Sequence, residues 1–251
     1  IHQFQVTRRF ELHVGGFGIS FPNSALWMVI SVVLIIGFFA WALSRPQTVP
    51  SRKQSLAEVW YGFAAGIVKD VNHEDGKPFV PLVFTIFSFI FVANILGMFS
   101  FPGFHTFTPT SHIAVTGAMA LFVFVLVIAI GVWRNGFKFL KIFVPSGVPG
   151  WILPFVVLIE IFSFLSRPLS LGLRLFANML GGHVALKVFA GFVPQLVAGL
   201  GVLGAGMAAV LVMPLVIGIT ALELLVAFLQ AYVFAILTCV YLNDALHPGG
   251  H

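Results

Sequence analysis

Charge is what this sequence has least of. Asp, Glu, Lys and Arg together make up 8% of its 251 residues, while apolar types make up 59%. A water-soluble globule carries far more charge on its surface, so the composition excludes one and places the chain in lipid. Cysteine is equally scarce. Cys239 stands alone in an apolar run, which leaves no disulfide framework and no thiolate metal site. No secretory signal is visible, and the polar start at Ile1, without Met, is expected of a processed or partial N terminus. A glycine-rich phosphate loop is also missing, so any nucleotide chemistry would belong to partner chains. There is no solenoid repeat and no low-complexity tract. The modest excess of 13 basic over 8 acidic residues reads as a topology signal and contact with membrane lipids, with no nucleic acid as partner.

Long apolar runs are what the sequence does have. Several reach the roughly 20 residues a helix needs to cross hydrocarbon, and they lack the strict alternation of a barrel strand. The fold class is therefore an all-α membrane protein with about five membrane helices plus one surface amphipathic helix. An outer segment, 1–24, precedes a first span at 25–43; spans at 79–99 and 113–133 form a helix hairpin; and two longer apolar segments cover 150–191 and 195–243. The last of these, as one helix, would be about 70 Å long. It must double back or lie steeply tilted, and Pro214 with Gly199, Gly201, Gly204 and Gly206 could break it or merely bend it.

Basic residues in short loops favour the inner side of a membrane. Arg45, Arg52, Lys53, Lys69 and Lys77 lie between the first two spans, and Arg134, Lys138 and Lys141 follow the third, whereas 100–112 has none. The N terminus is thus expected outside, although Arg8 and Arg9 run against the bias. Over 51–70, Leu56, Val59, Trp60, Phe63 and Ile67 recur at helical spacing opposite Arg52, Lys53, Gln54 and Glu58. Two readings fit this pattern: a helix lying on the membrane surface, or a connector helix facing water.

Ionisable groups inside hydrocarbon are costly and default to ion-path hypotheses. Glu160, Ser163, Arg167, Ser170, Arg174, Asn178 and Gly181 follow one another by three or four residues and so share one helical face. A single polar residue can be packing glue, but a whole stripe is not explained that way. Arginine suits a barrier because its guanidinium does not deprotonate, and its fixed charge favours the ionised form of a nearby carboxylic acid. His183 lies about half a turn out of phase with Arg174 and about 13 Å farther along the axis. In the last segment Glu223 and Gln230 align with Thr220 and Ala227. His183 alone reads as a core histidine; beside Glu223 it reads as one half of a proton relay.

The run SRPLSLGLRLFANMLGGH, 166–183, resembles the signature helix of the subunit a family of rotary F-type ATP synthases. The closing run LELLVAFLQAYVFAILTCVYLND resembles the last helix of that family, and NILGM at 94–98 and FTPTSH at 107–112 are looser matches. The likeness covers roughly residues 20 to 245 and implies a function, a proton-channel stator subunit beside a ring of c subunits, with peripheral stalk b subunits as further partners. It implies that Arg174 is the essential stator arginine and Gln230 its neighbour. Ser170 and Asn178 would line the inner half-channel, while Glu223 and His183 would line the outer one. It also implies that the two long helices tilt steeply around the ring. Many bacterial members carry an acid where His183 stands and a histidine where Glu223 stands; the exchange here is that of mitochondrial and alphaproteobacterial members. A bacterial inner membrane or a mitochondrial one is the expected location. The chain would not be an enzyme by itself.

Some positions keep two readings. Asn94 lines the outer path or bonds a neighbouring helix through its amide. Glu160 and Arg167 order the inner path or form an ion pair. His105 and His112 sit at the outer mouth or are solvated loop residues. Three rivals remain at the level of function. A haem- or quinone-bearing respiratory subunit would need paired axial histidines, but only His183 of the eight lies clearly within a span, so no cofactor is expected. A secondary transporter would show two related halves, which are not visible. The third is a scaffold without an ion path.

Overall fold

Backbone N–H and C=O groups find no water in hydrocarbon, so a chain this apolar must satisfy them internally, as helix. The computed structural model describes residues 8–14, 17–98, 108–144 and 149–247. Helices α1 (Asn23–Ala42), α3 (Val80–Met98), α4 (Ile113–Asn135), α5 (Leu153–Met207) and α6 (Met213–Leu246) carry the long apolar runs, and α2 (Arg52–Asn72) precedes α3. His105 lies outside the described residues.

From Asn23 onward the described elements are all helical, but the segment before α1 is not. Strands β1 (Arg8–Val14) and β2 (Phe17–Pro22) pair antiparallel, with Leu12 opposite Ile19 and Val14 opposite Phe17. Phe10, Leu12 and Val14 alternate with Arg9, Glu11 and His13 at the period of a strand. That signal is too short to stand out beside runs of twenty apolar residues.

Helix α6 forms the centre of the bundle, in contact with α2, α3, α4 and α5. Small side chains at Ala227, Ala231 and Ala235 repeat every fourth residue on its buried face and let neighbouring helices approach closely. Thr220, expected on the same face, is exposed and bonds back to the Val216 carbonyl at 2.8 Å. Phe164, Leu171, Leu175 and Met179 supply the buried face of α5, and Val123 and Val127 that of α4.

The apolar stripe of α2 divides between two environments. Ile67 is buried and Trp60 donates from Nε1 to Ser88 Oγ at 3.0 Å, whereas Leu56 and Val59 are 54% and 69% exposed. Packing within the chain therefore takes up only part of the stripe.

The two long segments meet at a different place from the one the sequence pattern suggested. Helix α5 continues past 191 and through Pro194, since one proline removes a single hydrogen bond and bends a helix without ending it. The interruption falls at Gly201, whose φ of 55° and ψ of −126° suit only glycine. Gly204 then packs against the Leu196 carbonyl so closely that a Cβ would not fit. The chain reverses there, passes through a π-helical stretch (Ala208–Val212) and returns as α6. With 34 residues α6 is a single rod of about 51 Å, longer than the roughly 30 Å of hydrocarbon. The reversal thus falls inside the last apolar segment, near its start, and from Met213 to Leu246 the chain runs on without a second one.

Candidate functional site

Contacts across the α5–α6 hairpin place polar groups at two separate levels. Toward the 108–112 end, the imidazole Nδ1 of His183 lies 2.8 Å from Oε1 of Glu223, with the two residues 7% and 4% exposed. The separation is short, although its angles are not those of a hydrogen bond. Gly182 makes this possible: a Cβ there would stand 3.1 Å from the same Oε1. On the other side of the ring, Thr108 Oγ1 lies 2.8 Å from His183 Nε2. Asn94, fully buried on α3, donates from its amide to the Ala227 carbonyl at 3.3 Å and accepts from Thr110 Oγ1 at 2.6 Å. Its interhelical bond is therefore real, and it lies one turn along α6 from Glu223. His112 is half-buried at the start of α4, and burial lowers its pKa from the ordinary histidine value.

At the opposite end Arg167 donates from Nη1 to Asp244 Oδ2 at 2.8 Å, with Glu160 Oε1 farther away at 3.8 Å from Nη2. The guanidinium also lies over the rings of Phe164 and Tyr241, 5.4 and 5.2 Å from their centroids. The ion-pair reading of Arg167 is thus realised, with a partner the sequence pattern had not named. Asn135 donates to the Ala245 carbonyl at 2.7 Å, and His247 lies 3.2 Å from Asp75. These links gather the basic-loop end of the bundle around the end of α6.

Arg174 stands on α5 between these two levels. Two registers of that helix separate cleanly. Leu171, Leu175, Met179 and His183 turn inward, while Ser170, Arg174 and Asn178 are exposed. Exposed Leu169, Leu173 and Ala177 surround the arginine, and Ser170 bonds only back to the Arg167 carbonyl at 3.0 Å. Among the described residues Arg174 has no carboxylate partner. Gln230 occupies the intermediate level of α6, 9% exposed, and Tyr241 lies within electrostatic reach of Arg174 as well as of Arg167 and Asp244.

The sequence matches the family described as ATP synthase A chain over residues 25–243. It is 55% identical to ATP synthase subunit a of Maricaulis maris, covering 99% of this chain and 97% of the relative. This chain belongs to that family. It is also 55% identical to the subunit a of Chelativorans sp., over 99% of this chain and 98% of the relative, and 53% identical to that of Rhizobium johnstonii, over 100% and 98%. The alphaproteobacterial sources of these ATP synthase A chain relatives, together with the membrane-length helices, identify a multi-pass protein of the bacterial inner membrane.

The resemblance seen in the sequence therefore extends over nearly the whole length, and the structure brings His183 to Glu223 and Asn94 to the next turn of α6. It keeps Arg174, Ser170 and Asn178 apart from them, on the open face. Asp244, Tyr241, Thr108 and Thr110 were missed as partners. Asp244 is the one acid of the closing motif's final turn, and both threonines lie in FTPTSH, so the signal was in the quoted residues but not in their spacing.

Proposed function

We propose that this chain is the stator channel of the ATP synthase membrane sector, passing protons to and from carboxylates of a c-ring through two offset half-channels. The observation that carries this reading is the position of Arg174: exposed, without a carboxylate partner among the described residues, and placed between two separate polar clusters. A permanently charged group on an apolar face is costly unless an anion from outside the chain meets it. A carboxylate carried past on a ring of neighbouring helices supplies that anion once per passage.

Protons enter from the outer side past Asn94, His183 and Glu223 and neutralise a ring carboxylate. The neutral site then turns through lipid. On the inner side, beside Ser170, Asn178 and Glu160, the guanidinium favours ionisation and the proton leaves. Gln230, on the adjoining helix, is the polar neighbour of the arginine. Direct leakage is blocked because the two paths do not meet and the cation between them repels a crossing proton. A membrane potential provides about 2.3 kcal/mol per charge per 100 mV, released only through rotation. Peripheral stalk b subunits hold the chain against that torque.

Both ring nitrogens of His183 face a partner already, Thr108 and Glu223, which counts against the axial-ligand role of a respiratory subunit. The decisive experiment is Arg174→Ala in the intact complex. ATP-driven proton pumping into inverted vesicles is expected to vanish while the complex still assembles. Pumping at the parent rate would leave only a scaffold.

A further inference from the structure

His183 is buried, and its ring needs partners in either charge state. A neutral imidazole offers one N–H and one lone pair, whereas the cation offers two N–H groups. Nδ1 lies 2.8 Å from Glu223 Oε1, and the tautomer with its proton on that side carries the lone pair on Nε2. The atom 2.8 Å from Nε2 is the Thr108 hydroxyl oxygen, in a residue 3% exposed. A hydroxyl donates to the lone pair and, after rotating, accepts from an N–H. Valine at this position would have the same shape and neither ability.

We propose that Thr108 is a positioning residue of the outer proton path, its hydroxyl orienting His183 toward Glu223 and satisfying Nε2 in both charge states of the ring. The proposal rests on the reading of His183 and Glu223 as that path. Thr108 itself is held in place. The Ser111 hydroxyl and backbone N–H both donate to the Thr108 carbonyl, at 2.7 and 3.0 Å, within the turn Pro109–Ser111. Thr110 anchors the same turn to Asn94 of α3. Gly97 of α3 packs so tightly on the Thr108 side chain that a Cβ would displace it. Among the described residues, the other polar groups of this part of the fold are Glu223 on α6, uncharged Asn94 on α3, Lys187 one turn along α5, and His112 just after the threonine turn.

The test uses the complete ATP synthase in inverted membrane vesicles, with ATP-driven proton pumping followed across pH. T108V is expected to lower pumping about tenfold and to displace its pH profile by about one unit, the scale of one lost hydrogen bond to an ionisable ring. T108S keeps the hydroxyl and is expected to restore both rate and profile. G97A, which crowds the hydroxyl while leaving Thr108 in the chain, is expected to share the T108V defect. A parent-like profile in assembled T108V, or T108S as impaired as T108V, overturns the proposal. If T108V does not assemble, parent-like pumping by G97A overturns it and a shifted profile supports it. Arg174→Ala runs alongside. Should that variant pump normally, the proton-path reading itself is wrong; should it be inactive while T108V matches the parent, only the role of Thr108 is.

Discussion

Asp244 and Arg167, 77 positions apart, meet at 2.8 Å and fasten the last turns of α6 to the early turns of α5. Their side chains are 14% and 21% exposed, so water screens the pair only in part. Phe164 and Tyr241 flank the guanidinium, fixing its plane for the carboxylate.

Removing one partner strands the other. Asp244→Asn is expected to cost about 1–3 kcal/mol. Combining it with Arg167→Gln is expected to cost less than the sum of the two single changes, because the pair couples directly. Thermal denaturation midpoints of the purified complex in detergent, taken through the full double-mutant cycle, check this; simple additivity would contradict the pairing.

Gly182→Ala separates stability from conduction. Alanine gains roughly 0.5–1 kcal/mol over glycine in a helix interior, but its methyl would stand 3.1 Å from Glu223 Oε1 and push the carboxylate away from His183. The expected result is a protein no less stable that conducts protons several-fold more slowly. Gly191→Ala has open space around its Cβ and serves as the control with normal flow. Thermal midpoints and vesicle proton flux, measured on both variants, distinguish the effects.

The reversal between α5 and α6 is testable at its hinge. Gly201→Ala forces a side chain into a conformation L residues avoid and is expected to destabilise by about 1–3 kcal/mol. Gly199→Ala, two residues earlier in regular helix with nothing near its Cβ, is expected to be neutral or stabilising. Midpoints of heat inactivation for the two variants, compared with the parent, should fall on opposite sides or nearly so.

Local spacing in the sequence determined a good deal. Apolar run length fixed a helical membrane protein, because hydrocarbon admits no unpaired backbone. The three- and four-residue steps from Glu160 to Gly181 set one face of α5, and the phase difference between Arg174 and His183 put them on different sides, as the exposed arginine and buried histidine bear out. Periodicity is a property of a few successive turns and can be read without a fold.

Only the tertiary structure decided which groups meet. Thr108 reaches His183 across 75 residues, Asn94 reaches Ala227 across 133, and Asp244 reaches Arg167 across 77. It also settled that the turn falls at Gly201 while Pro194 stays inside a helix, and that Arg8–Val14 and Phe17–Pro22 pair as antiparallel strands. Such pairings depend on how helices stack, where small side chains such as Ala227 and Gly182 allow close approach. A one-dimensional pattern of apolar and polar residues leaves that stacking undetermined, since many arrangements bury the same stripes.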